Sequence, residues 1–246
     1  ISSQKISVGP PFYHKLIAPF LIPFLFAMAI GPSLKWIRSD LKDKIYLIGL
    51  LIISVLISFF IVKNFNTNIL INTILISSAL YLFFITLRDF FNKKYKNFAQ
   101  NTAHFGFSLL ILSILFNNLF SSEIITNLKV GETYDNSKTK IVFESINQKK
   151  EKNYKSIIAN FNITNSEGIN NNLSPELRIY NQPNITTSEA DIKTTLMKDK
   201  FIVINLVQNQ DYFNVRYQVK PFMLWIWLSV IMISLGGLVS FLQKRS

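Results

Sequence analysis

Five uncharged apolar runs constrain this chain more than anything else in it: Leu16 to Leu34, Ile45 to Val62, Ile69 to Leu87, Phe105 to Ser122 and Phe222 to Leu242. Each has 18 to 21 residues, and at about 1.5 Å per residue that length crosses a hydrocarbon core of about 30 Å. Hydrocarbon offers no water to unpaired N–H and C=O groups, so such segments fold as helices that satisfy their own backbone. The runs predict a polytopic α-helical membrane protein with about five transmembrane helices, near residues 16–34, 45–62, 69–87, 103–122 and 222–242. Pro19 and Pro23 each remove a helix donor from the first run, so a kinked or partly re-entrant segment fits those residues as well. Only 16% of the 246 residues are charged, against about a quarter in a soluble domain. That argues against a free cytosolic protein.

The net charge of +12 suggests nucleic acid until its location is considered. Residues 121–218 hold 12 basic and 11 acidic side chains and are nearly neutral, while the other 14 basic residues flank the apolar runs beside only 3 acidic ones. The surplus is juxtamembrane, and nucleic acid is not an expected partner. Lys35, Arg38, Lys42 and Lys44 fill the loop after the first run, and Arg88, Lys93, Lys94 and Lys96 the loop after the third. The intervening loop has only Lys63, and the chain ends in Lys244 and Arg245. Cytoplasmic loops carry the excess of Lys and Arg. Residues 1–120 therefore read as a membrane region with four helices, residues 121–218 as a β-rich extracytoplasmic domain, and residues 219–246 as a last transmembrane helix with a short basic cytoplasmic tail.

The polar domain reads as strands. Lys140 to Ile146, Ser156 to Ile163, Glu176 to Tyr180 and Phe201 to Val207 are short, β-branched and partly alternating, and Asn, Ser and Gly separate them. Thr186-Thr187-Ser188-Glu189 resembles a capping box before a short helical run to Leu196. At the N-terminus there is no initiating Met, no basic n-region and no cleavage site, although the charge pattern puts Ile1 outside. The expectation is that earlier spans belong to the same protein or to a separately encoded half of it.

Few residues are suited to chemistry. With no Cys there is no disulfide, thiolate metal site or Cys nucleophile, and Gly-rich phosphate loops, nucleophile elbows and zinc-helix motifs are absent from the sequence. The two histidines are His14 and His104. His104 opens the fourth span among Ala103, Gly106 and Ser108, and Gly106 would admit either a bulky planar group or another helix close to the backbone. A neutral imidazole inside a span suits haem iron; a His anchoring the helix end near the headgroups fits the same position. His14, beside Lys15 in a Pro-aromatic stretch, reads as solvated. Trp225 and Trp227 read as an aromatic belt, and Gly236 and Gly237 as close helix packing. Glu176, Arg178 and Tyr180 alternate and so share one strand face.

Four stretches together resemble the CcmF family of membrane cytochrome c haem lyase subunits. They are Ser7-Val8-Gly9-Pro10-Pro11-Phe12-Tyr13; Ala103-His104-Phe105-Gly106; Glu176-Leu177-Arg178-Ile179-Tyr180 with Thr186-Thr187-Ser188-Glu189-Ala190-Asp191-Ile192; and Val215-Arg216-Tyr217 through Pro221, Trp225, Ile226 and Trp227 to Gly236-Gly237. The likeness covers the whole chain but roughly the last third of the family protein. It implies that His104 is one of two intramembrane axial ligands of a b-type haem, so that the metal is held through haem iron. The second ligand, a Trp-rich haem-handling loop and two outer histidines belong to the part not present here, and no catalytic residue is assigned. Where His14 stands the family is expected to have Asn, and no ligand role is transferred to it. The implied activity is covalent attachment of haem to apocytochrome c in cytochrome c-type biogenesis, in the inner membrane of a bacterium or a mitochondrion. The implied partners are the missing N-terminal part, a haem chaperone, apocytochrome c and its thiol-reducing subunit, and membrane lipids. The chain is not expected to be active alone.

Two other readings fit the residues. A permease subunit without haem would need further ionisable groups inside the spans, and the uncharged runs supply none beside His104. A membrane assembly factor or insertase would use the β-rich domain to hold a client. The orientation has a direct check: cysteines placed at Asn66 and Asn171 should react with an impermeant thiol reagent added outside, and one at Asn92 should not. Labelling of Asn92 from outside overturns the topology.

Overall fold

The computed structural model describes residues 10–31, 41–65, 67–91, 98–166, 168–207 and 211–243, with the side chains of residues 10–15, 18 and 41–43 excepted. Lys35, Arg38, Lys93, Lys94, Lys96, Lys244, Arg245, Asn66, Asn92, residues 7–9 and the side chains of His14 and Lys42 lie outside the described residues. The chain divides into two compact units, residues 1–119 with 225–246, and residues 120–224.

The first unit is helical: α1 (Pro10–Ile30), α2 (Leu41–Val62), α3 (Ile69–Phe91), α4 (Phe98–Phe120) and α5 (Met223–Gln243). Four of these are long and apolar enough to cross a membrane, with Lys44–Val62 as the qualifying part of α2. α1 runs unbroken through Pro19 and Pro23, and its apolar part, Pro19–Ile30, is shorter. Four to five helices can therefore span. Large apolar side chains such as Ile48, Phe60, Leu70 and Leu238 are more than half exposed, the outward apolar shell that a helix in hydrocarbon requires. Hydroxyls inside the spans find carbonyls one turn back: the Ser58 hydroxyl donates to Ser54 O and the Thr86 hydroxyl to Leu82 O.

α3 is the hub. Half of its spanning window is buried, against 11 to 22% for the other three, and Ile76, Ala79, Leu80, Tyr81, Leu82 and Ile85 pack with Leu25 and Ala29 of α1, Val62 of α2 and Leu112 of α4. α3 continues past the predicted end at Leu87, so Arg88 and Asp89 lie within the helix and not in a loop. This corrects the expectation that the spans hold no ionisable group beside His104. The two charges neutralise each other at 2.9 Å, and the Arg88 guanidinium lies 5.1 Å from the Tyr46 ring centre.

α4 and α5 pack backbone to backbone. A Cβ built on Gly106 would sit 3.0 Å from Ser229 O and Ile233 N, and one built on Gly236 would sit 2.7 Å from Ala99 O and Ala103 N. The pairs run in opposite directions along the two helices, which are antiparallel. Of the two readings of Gly106, it is another helix that comes close. Gly236 packs as expected, whereas Gly237 has nothing within 4 Å.

The second unit is a β-sandwich. Its strands are β1 (Ser122–Leu128), β2 (Thr133–Asp135), β3 (Thr139–Lys150), β4 (Tyr154–Asn165), β5 (Asn170–Leu173), β6 (Glu176–Tyr180), β7 (Thr186–Glu189), β8 (Asp191–Thr194), β9 (Lys198–Leu206) and β10 (Phe213–Pro221). One sheet has the order β1-β10-β9-β8; the other has β2-β3-β4-β6-β7, with β5 on β4. Ile141, Phe143, Phe161, Ile163, Leu177, Ile202, Ile204 and Val215 fill the space between, with the rings of Phe143 and Phe161 stacked at 4.4 Å. The register of β3 against β4 shifts between Phe143 and Ser145, so inward positions change from odd to even along β3.

Residues 186–196 are not helical. Thr186 to Glu189 pair with β6 and Asp191 to Thr194 with β9, because the Thr-rich, β-branched run fits a pleated surface and two sheet edges are open to it. Asn171 is buried at 4% exposure, so the exposed neighbour Asn172 replaces it as the outer labelling position. β10 passes into α5 through Phe222, which holds φ at 62°, donates its N–H to Met197 O at 2.9 Å and sets its ring 6.5 Å from that of Phe120.

The two adjacent glycines of α5 give a paired test. Gly236→Ala forces two backbones apart and should lower stability by about 1–3 kcal/mol, the usual cost of overpacking. Gly237→Ala meets open space and should be neutral or stabilising by up to about 1 kcal/mol, the gain in helix propensity. Thermal unfolding in detergent reads both, and equal effects would contradict the seam.

Candidate functional site

His104 is the seventh residue of α4 and is half-buried. At about 100° per residue it shares a face with Gln100, Phe107 and Ile111, while Ala103 and Gly106 point about 100° and 160° away. The small residues beside it in sequence therefore serve the α5 seam and do not cradle anything at the imidazole. Its own face is mixed: Gln100 and Ser108, each about 40° away, are polar, while Phe107 meets Phe24 of α1 edge to face at 6.2 Å, and Ile111 packs on the core formed by α1 and α3. His104 makes no hydrogen bond or ion pair with another described residue. An imidazole with no hydrogen-bond partner among the described residues, on a helix of the membrane region, fits an iron that arrives in a porphyrin. It does not fit a bare ion, since no group of three His, Cys, Asp or Glu among the described residues could hold one.

Beside this face runs a polar seam that the sequence reading missed. The hydroxyls of Thr86 on α3 and Ser108 on α4 are 2.7 Å apart and fully or nearly fully buried. One turn along α3 and two turns back along α4, the Asn101 amide donates to Asp89 O at 3.0 Å, and Asp89 is only 9% exposed. Phe90 stacks on Phe105 at 5.2 Å. These contacts fix α4 against α3 on one side, as the glycine seam fixes it against α5 on another, so the helix that carries His104 cannot roll. The signal was present in the polar positions Thr86, Asp89, Asn101 and Ser108, but nothing in one sequence says that they pair.

In the sandwich, Glu176, Arg178 and Tyr180 do share a face. Arg178 bonds Glu176 at 3.0 Å, reaches Glu189 of β7 at 3.7 Å and lies 5.2 Å from the Tyr154 ring centre, which is itself 5.2 Å from that of Tyr180. The hydrogen bond from Arg178 holds the Glu176 carboxyl below the ordinary carboxylate range. The cluster clasps the edge strand β7 to β6 and β4, a structural task that accounts for these residue types. On β10, Val215 and Tyr217 are core residues, and burial pushes the Tyr217 phenol up to about 12. Arg216 and Gln218 both bond Glu123 of β1.

The four stretches singled out in the sequence are partly brought together. Ala103 and Gly106 meet the α5 segment that carries Gly236, and Arg178 meets Glu189. Residues 7–9 of the first stretch and the side chains of its remainder lie outside the described residues, as does the side chain of His14.

Residues 119–221 match the family model described as CcmF C-terminal beta-sandwich. The whole chain is similar to the cytochrome c-type biogenesis protein CcmF of Escherichia coli (strain K12), at 23% identity over 98% of the chain and 39% of the relative. To that of Haemophilus influenzae it is 25% identical, over 98% of the chain and 40% of the relative. In solved structures, Cytochrome c Heme Lyase CcmF matches with a TM-score of 0.71 at 18% identity, covering 94% of this chain and 40% of that one. The chain spans about two-fifths of the length of these relatives. Both units follow the same fold as the solved relative, residues 119–221 match the CcmF C-terminal β-sandwich, and the chain as a whole is similar to the C-terminal part of CcmF proteins.

Proposed function

We propose that this chain works in cytochrome c maturation as the C-terminal part of a membrane haem lyase, and that His104 supplies one axial ligand to a b-type haem within the bilayer. The observation that carries the proposal is the state of His104: a half-buried imidazole on a helix apolar enough to cross a membrane, with no partner among the described residues. Relatives that match the whole chain are named cytochrome c-type biogenesis proteins, and the solved one is named a haem lyase. When bound, an iron with two side-chain ligands supplies one-electron transfer and leaves no coordination site open to substrate.

What this chain contributes is positioning. The α5 seam and the Thr86–Ser108 and Asn101–Asp89 contacts hold α4 in one rotational setting. The imidazole direction is thereby fixed before iron arrives, and a preset ligand loses less freedom on binding. Phe107, packed edge to face on Phe24, supplies the apolar part of that face. The lack of Cys in the chain fits this reading, in which the thiols that accept haem belong to apocytochrome c and their reduction to a partner subunit. A haem chaperone and the N-terminal part of the lyase, with the second ligand, complete the assembly in the inner membrane of a bacterium. Residues 121–218 form the domain on the extracytoplasmic side, as the loop charges indicate.

Two experiments test this. In the assembled complex, His104→Ala should lose the b-type haem or convert it from low to high spin, and His104→Gly with added imidazole should partly restore the spectrum. An unchanged low-spin spectrum with full cytochrome c yield refutes the ligand. In cells without the native lyase, this chain alone should give no covalently bound haem, and co-expression with the N-terminal part should restore it; activity of the chain by itself contradicts the division of labour.

A further inference from the structure

The turn between β8 and β9 is built to present two apolar side chains. Thr195 closes it three times over: its N–H donates to Lys198 O at 3.0 Å, its hydroxyl donates to the same oxygen at 2.6 Å, and that hydroxyl accepts the Lys198 N–H at 3.1 Å. Leu196 and Met197, at the apex, are 60% and 55% exposed. A turn on a soluble sandwich ordinarily carries Gly, Asn, Asp or Ser at such a point, and this sandwich uses them elsewhere, around Asn165 and Gly168 for example.

The place of this tip is fixed by the second unit itself. Lys198 is the ladder partner of Pro221, and the N–H of Phe222, the residue directly before Met223 and the start of α5, donates to Met197 O. The tip therefore lies level with the point where the chain turns into an apolar helix, and Trp225 and Trp227, of the type enriched at bilayer interfaces, follow within five residues. The ring of Phe120, the last residue of α4, is at the same level against Phe222. Lys193, Lys198 and Lys220 surround the turn, with Asp199 as the carboxylate in register beside Thr194 and Lys220. An apolar apex ringed by lysines complements a lipid surface with anionic headgroups, and the apolar apex does not suit a loop tip held in water.

We infer that the β8–β9 turn is a membrane-contacting tip, with Leu196 and Met197 set at the headgroup–acyl boundary of the leaflet that α5 enters. It gives the sandwich a third hold on the bilayer beside its two covalent ones.

The absence of Cys in the chain makes the test clean. Leu196→Cys and, separately, Met197→Cys are spin-labelled in the full chain, reconstituted in vesicles of phosphatidylethanolamine and phosphatidylglycerol. Val130→Cys serves as reference, since Val130 is 49% exposed in the turn after β1, about 20 Å from the α4 end of that strand. Either tip label should be several-fold less accessible than the Val130 label to a water-soluble relaxant and several-fold more accessible to oxygen dissolved in the acyl region. Water accessibility equal to that at Val130 overturns the inference. So does protection from both reagents, which would mean that protein and not lipid covers the tip.

Discussion

A medium without water permits only backbone that bonds to itself, and every other choice in this chain follows from that demand. It forces the apolar runs into helices, removes the hydrophobic effect as a force between them, and leaves shape and buried polar contacts to decide which helix touches which. α3 shows the result. It is buried along half its spanning length because small and hydroxyl residues let its neighbours approach, and the hydroxyl pair of Thr86 and Ser108 that crosses from it to α4 has no water to compete for it.

The sandwich obeys the opposite regime. There the core is apolar and the faces are amide-rich, and water rather than shape drives β3, β4, β9 and β10 together around Phe143 and Phe161. The charged groups are left to tie edges: Arg178 holds β7 through Glu189, and Glu123 holds β1 to β10 through Arg216 and Gln218.

The helices were legible in the sequence because uninterrupted apolarity at a length set by the bilayer has no second explanation. The long strands were legible because β-branched residues alternate in them. Thr186 to Leu196 was misread because a Ser/Thr run three residues before Glu is also what a capping box looks like, and only the open edges of two sheets decide the matter. The end of α3 was misread because Arg88 was counted as a loop charge; its neighbour Asp89 cancels it, and charge counting cannot see a pair. At the candidate site, His104 stood out by being an ionisable group at a membrane helix, whereas its true surroundings did not. Adjacency in sequence put Ala103 and Gly106 next to it, and helical rotation turns both away.

The pairing of β1 with β10 bears on how the protein is made. Glu123 and Gln218 bond across 95 residues, so the first strand to leave α4 is also the one whose ladder partner is synthesised last. At about 5–20 residues per second the ribosome needs roughly 5–20 seconds to supply that partner. During that interval β1 is a seven-residue strand held beside the membrane with both edges open, and Ile124 and Ile125 make it attractive to any other extended segment. Folding of the sandwich thus waits on its final strand, and the same strand leads directly into α5. Closure of the domain and arrival of the last span are one event in time.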